Sequence, residues 1–88
     1  MVKENKHEAA KEVLTAQQRR SLQASDFGLP QERQFPMPDA KHVRAAESYF
    51  RYASDRKKPE LAHRILMKAQ KYGVDVESPE ILDWSKKY

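Results

Sequence analysis

The sequence contains no cysteine. Disulfides, thiolate metal sites and cysteine nucleophiles are therefore excluded. Its two glycines, Gly28 and Gly73, are too few and too far apart for a phosphate-cradling glycine-rich loop. No apolar run approaches the ~20 residues of a membrane span. The start, Met1-Val2-Lys3-Glu4-Asn5-Lys6, leads into a charged helical pattern and not an apolar signal core. These absences lead us to expect a soluble, intracellular protein with no membrane partner.

What is present is enough for one small domain. Eighty-eight residues at 39% hydrophobic imply a thin core and modest stability. Basic residues exceed acidic ones, 17 to 13, and the net charge is +4. A bias of this size is compatible with nucleic acid or an acidic protein as partner, and equally with an ordinary solvated surface.

The most informative stretch is Ser25–Asp39. It carries two of the three phenylalanines, Phe27 and Phe35, together with Leu29 and Met37. A disordered linker is poor in such residues. Pro30, Pro36 and Pro38 fix φ and remove backbone donors. Neither a helix nor a central strand is expected there. The segment reads as ordered and extended, lying on a helical body and inserting its apolar side chains. Gly28 is available to supply a positive φ for a turn.

Helices flank this segment. Residues 7–23 carry strong helix formers with a thin stripe of Ala9, Ala10, Val13, Leu14 and Leu22. Thr15-Ala16-Gln17-Gln18 also fits a capping box. Two readings are therefore open: one helix over 7–23, or a lead-in over 1–14 followed by a short helix from Thr15 to Leu22. Asp39 is a good N-cap for a helix over 40–54, whose apolar positions are Val43, Ala46, Tyr49, Phe50 and Ala53. After the polar turn Ser54–Lys58, Pro59 suits the first turn of a helix with Leu61, Ala62, Ile65, Leu66, Ala69 and Tyr72 on one face. Gly73 stops it, with Val74 placed for a Schellman ending. Ser78-Pro79-Glu80 starts a last short helix carrying Ile81, Leu82, Trp84 and Tyr88.

The run Phe27-Gly28-Leu29-Pro30, then Arg33, Phe35-Pro36, Asp39, His42-Val43, Ala46 and Phe50 resembles a small domain encoded by bacteriophages and prophages. That domain carries an F-x-L-P-x-x-R-x-[YF]-P signature followed by an H-[VA]-x-x-A helix, and occurs alone or attached to phage head-associated proteins such as prohead proteases. The match spans roughly residues 19–73. The resemblance implies phage origin and a structural or assembly role, in the cytoplasm of an infected bacterial host or in the virion. It supplies no catalytic residues.

Read from the residues alone, no chemistry stands out. Asp39 with His42, and Glu60 with His63, place carboxylate and imidazole three residues apart on a helix. Two such pairs form part of a di-iron site, but the further bridging carboxylates are missing. The serines fall mostly at caps and turns, where their hydroxyls serve the backbone. No enzyme activity, metal or cofactor is expected. Arg64, Lys68 and Lys71 lie at four- and three-residue steps on one helix face, with Arg56, Lys57 and Lys58 just before them. They form either a phosphate-gripping stripe, with Tyr49, Tyr52 and Tyr72 available for stacking, or a solvated face. Arg33 either pins the Phe/Pro segment to a carboxylate or to helix C-terminal carbonyls, or recognises a partner.

The expected fold is all-α: a helical hairpin, N- and C-terminal helices, and the extended segment packed on them, forming one domain over 15–88. The expected core is Phe27, Leu29, Phe35, Val43, Ala46, Phe50, Leu61, Ile65, Ala69 and Trp84. Phe35→Ala would then cost about 3–5 kcal/mol. The expected function is a non-enzymatic phage-type module that docks on a protein partner, a head or other virion protein, through Phe27, Leu29, Arg33, Phe35 and Met37. The alternatives are a nucleic-acid binder using Arg56, Lys57, Lys58, Arg64, Lys68 and Lys71, or a small regulator of a host protein.

Overall fold

A computed structural model describes residues 14–88. The candidate lead-in over 1–14 therefore lies outside the described residues, except for Leu14. Helix α1 spans Ala16–Ser21. Thr15 is extended, so no single helix runs over 7–23. The Thr15 hydroxyl accepts from the Gln18 amide at 3.1 Å, and the Gln18 side chain accepts from the Thr15 N–H at 2.9 Å. This reciprocal cap satisfies two amides that the first turn leaves free.

The Phe/Pro segment overturns the all-α expectation. Strands β1 (Phe27–Leu29) and β2 (Gln34–Pro36) pair antiparallel, with Phe27 opposite Pro36 and Leu29 opposite Gln34. The protein is a small mixed α/β domain, mostly helical, with a two-stranded sheet. Proline does not prevent this pairing. The neighbouring ladder bond runs from the Met37 N–H to the Asp26 carbonyl at 2.8 Å, so Pro36 sits where the alternating antiparallel pattern asks for no donor. Pro30 opens the connecting turn, and its carbonyl accepts from the Arg33 N–H at 3.2 Å. Two non-glycine residues in this hairpin are left-handed, Arg33 with φ 52° and Phe35 with φ 60°. Gly28 has no positive φ. It is a close-approach glycine: a Cβ built there would lie 2.5 Å from Leu61 Cδ1 and 3.1 Å from Phe35 Cβ.

Helix α2 spans Ala40–Tyr49 and tightens into a 3-10 turn, Phe50–Tyr52, before reaching residue 54. The Asp39 carboxylate caps α2 by accepting from the His42 amide at 2.9 Å. Helix α3 spans Lys58–Tyr72, with proline in its first turn, and ends at left-handed Gly73. The Val74 N–H returns to the Ala69 carbonyl at 2.8 Å, the six-to-one bond of a Schellman ending. Helix α4 spans Pro79–Ser85, capped by the Ser78 hydroxyl, and packs along α3.

The core lies where α2, α3, α4 and the hairpin meet. Leu29, Met37, Val43, Ala46, Phe50, Leu61, Ala62, Ile65, Ala69 and Ile81 form one buried cluster, and Phe27, at the start of β1, is fully buried. Phe35 and Trp84, expected inside, are half-buried and pack against it. Burial of one large apolar side chain contributes about 1.5–3 kcal/mol, whereas an exposed ion pair contributes about 0–1 kcal/mol. The apolar cluster therefore holds the fold, and the ion pairs around it set local geometry.

Candidate functional site

The hairpin is locked to α1 by two arginines. Arg33 Nη2 donates to the Arg19 carbonyl at 2.7 Å and to the Leu22 carbonyl at 3.1 Å. These acceptors lie at the C-terminal end of α1, where the helix dipole favours a cation; the Arg19 carbonyl also accepts from the Leu22 N–H at 3.2 Å. Arg19 Nη2 donates in return to the Arg33 carbonyl. Both guanidiniums lie over the Phe27 ring, that of Arg33 at 4.5 Å and that of Arg19 at 5.6 Å. Arg33 thus takes the pinning geometry, using backbone carbonyls and not a carboxylate.

Five residues of the hairpin region were expected to meet a partner, and the structure separates them. Phe27, Leu29 and Met37 are buried in the fold, and Arg33 is engaged with α1. Phe35 remains, half-buried, between two surface grooves. One, of about 300 Å³, is lined by Phe35, Pro36, His42, Ala45 and Tyr49, among others. The second, of about 440 Å³, is lined by Phe35, Tyr49, Tyr52, Ala53 and Lys57, among others. Phe35, Gln34 and Tyr49 line both. Tyr49 is 60% exposed and Tyr52 71% exposed, with ring centroids 6.2 Å apart. The structure therefore places an open aromatic strip, Phe35–Tyr49–Tyr52, beside the proline-bearing strand. Tyr49 and Tyr52 both read from sequence as candidate base-stacking residues, and Tyr49 also as an apolar position of its helix. The signal for Tyr49 lay in the spacing: Val43, Ala46 and Phe50 fix the buried stripe of α2, and Tyr49 falls one position off it.

His42 sits at the foot of the first groove. Its Nδ1 is 2.7 Å from Asp39 Oδ1, and its Nε2 is buried without a hydrogen-bond partner among the described residues. Burial raises the Asp39 carboxyl, but hydrogen bonds from the His42 ring and amide outweigh it and hold Asp39 below its ordinary value. The Glu60 carboxylate accepts from Arg64 Nε at 3.0 Å, and the His63 ring stacks on Tyr88 at 4.8 Å. Among the described residues no group of three or more His, Cys, Asp or Glu side chains is placed to hold a metal. None of the described helices is long and apolar enough to cross a membrane.

The six basic candidates are divided as well. Lys58 is buried. Its ammonium lies 3.3 Å from Asp55 and 3.7 Å from Glu80, and within 6 Å of the Phe50 and Trp84 ring centres. It is an internal tie between the start of α3 and α4, and is not presented to a ligand. Lys57 pairs with Glu32 in the hairpin turn, and that hydrogen bond holds the Glu32 carboxyl below its ordinary value. Arg64 pairs with Glu60, and Lys68 lies 3.5 Å from Asp26. Arg56 and Lys71 are exposed and have no carboxylate partner among the described residues.

No curated protein and no solved structure matches the chain. A family of unknown function, DUF6582, matches residues 3–79, most of the sequence, and the chain belongs to that family.

Proposed function

We propose that the protein is a small, non-enzymatic phage-type module that binds another protein, a head or other virion component, during particle assembly or within the particle. It then works in the cytoplasm of an infected bacterium or in the virion. The observation that carries the docking part is the open aromatic strip. Phe35 adopts a positive φ that a bulky residue tolerates poorly, and strain of this kind is concentrated at functional surfaces. Beside it Tyr49 and Tyr52 expose large amphipathic rings of the type that anchor interfaces. The phage part rests on the signature resemblance of Phe27–Phe50.

The test is affinity capture of the tagged chain from prophage-induced cells with nuclease present, beside a Tyr49→Glu/Tyr52→Glu variant. Recovery of head proteins by the native chain and not by the variant supports the proposal. A lone host enzyme in their place would indicate a host regulator. Recovery that requires intact nucleic acid would indicate the nucleic-acid alternative.

A further inference from the structure

A third groove lies elsewhere on the surface and shares no residue with the two beside Phe35. It has a volume of about 390 Å³, and its lining includes Ser25, His63, Arg64, Lys68, Lys71 and Tyr88. Its cations come from three successive turns of α3. The carboxylates at its edge leave donors available. Arg64 gives Nε to Glu60, and its Nη groups make no hydrogen bond to another described side chain or backbone group. Lys68 makes one bond of 3.5 Å to Asp26, and an ammonium carries three donors. Lys71 is exposed, its ammonium 5.3 Å from the Tyr72 ring centre, with no carboxylate partner among the described residues. The Ser25 hydroxyl adds a neutral donor to the lining.

Aromatic rings also line the groove. The Tyr88 ring stacks on His63 at 4.8 Å with 26° between planes, yet Tyr88 is 64% exposed. One face of the phenol is therefore covered by imidazole and the other is open. A fork of guanidinium and two ammoniums suits phosphate oxygens, and an open aromatic face suits a planar base. We infer that the groove between Ser25, α3 and Tyr88 binds a nucleotide, its phosphate on Arg64, Lys68 and Lys71 and its base on the free face of Tyr88.

The nucleotide can be free or part of a single strand. Fluorescence anisotropy of a short labelled oligothymidine titrated with the full chain tests the proposal, with free ATP and polyglutamate as competitors. Binding is expected to weaken with salt at a slope of about −0.7 per phosphate engaged. Lys71→Glu, at an exposed residue whose change leaves the melting temperature in place, is expected to reduce both affinity and that slope. Tyr88→Leu is expected to weaken binding roughly five- to hundredfold, the range for losing one base–aromatic stack. Displacement by ATP at concentrations comparable to the strand identifies free nucleotide as the ligand, and resistance to ATP identifies the strand. Three results would each overturn the inference: no binding, binding indifferent to both substitutions, or displacement by polyglutamate as readily as by the oligonucleotide. None of them bears on docking at Phe35, which is read by protein capture in the presence of nuclease.

Discussion

Arg19 and Arg33 each donate a guanidinium hydrogen bond to the other's backbone carbonyl, and the Phe27 ring lies beneath both. Two like charges are held in one unit because each guanidinium is bound to carbonyl oxygens of the other's segment. The turn of the hairpin and the end of α1 thus form one unit, and removing either side chain breaks the bonds it donates while its backbone carbonyl still accepts from the other arginine.

Arg33→Ala is expected to destabilise the protein by about 2–3 kcal/mol, the scale of a charge-assisted hydrogen bond made in a part-buried site. Arg33→Lys should recover only part of this, since a compact ammonium on a shorter side chain reproduces neither the reach of Nη2 to both carbonyls nor the planar guanidinium over the Phe27 ring. Urea denaturation measures both. A loss below about 0.5 kcal/mol, the level of uncoupled surface sites, would show that the pin is not holding the hairpin.

The sheet comes close to α3 at Gly28, where an added Cβ meets Leu61 Cδ1 at 2.5 Å. Leu61 is fully buried and has little room to yield. Gly28→Ala is therefore expected to cost about 1–3 kcal/mol through overpacking. The same change made on a Leu61→Ala background should cost less, because the obstructing methyl is gone. A double-mutant cycle with no coupling between the two sites would contradict this account.

Phe35 tests the strain directly. Elsewhere glycine is less stable than alanine by about 0.5–1 kcal/mol because it is more flexible when unfolded. At φ 60° the order should reverse, since glycine alone is unstrained there. Thermal melts are expected to rank Phe35→Gly at or above Phe35→Ala. Because the ring is half-buried, Phe35→Ala should cost less than the about 3–5 kcal/mol of a fully buried phenylalanine.

Burial raises the Glu47 carboxyl above its ordinary value of 4.5; Arg44 opposes the shift and Glu77 adds to it. The folded protein therefore holds this proton more tightly than the unfolded chain. The contribution to stability is present below pH 4.5 and is lost as pH rises through the raised folded value. Glu47→Gln is expected to melt above the native protein at neutral pH, and this advantage should vanish in acid. Calorimetric melts across that range measure it, and an advantage that persists unchanged in acid would contradict the assignment.

The starts of α2 and α4 and the end of α3 were legible because their causes are local, whereas the end of α2 at Tyr49, short of residue 54, was not. Asp39, Ser78 with Pro79, and Gly73 with Val74 each act within a turn of where they stand. The hairpin was not legible, because three prolines argue against strand until the register shows Pro36 at a position that needs no donor. Gly28 looked like a turn residue, since its real constraint is a helix more than thirty positions away in sequence. Lys58 looked like part of a basic turn. The groups that enclose it, at Phe50, Asp55, Glu80 and Trp84, converge only once α4 has packed on α3. The aromatic strip was hidden for a related reason: the tightening of α2 at Phe50 decides which tyrosines remain open.

The setting of Trp84 makes the protein its own optical reporter. It is the sole tryptophan, it sits on the last helix, and its indole lies within 6 Å of two ammonium groups, those of Lys58 and Lys87. Its emission colour and quantum yield therefore follow the closure of α4 over the start of α3. A denaturation curve followed by fluorescence records when the C-terminal helix lifts away, and one followed by far-ultraviolet dichroism records the loss of all the helices. Coincidence of the two midpoints would mean that the last helix and the remainder melt as a single cooperative unit.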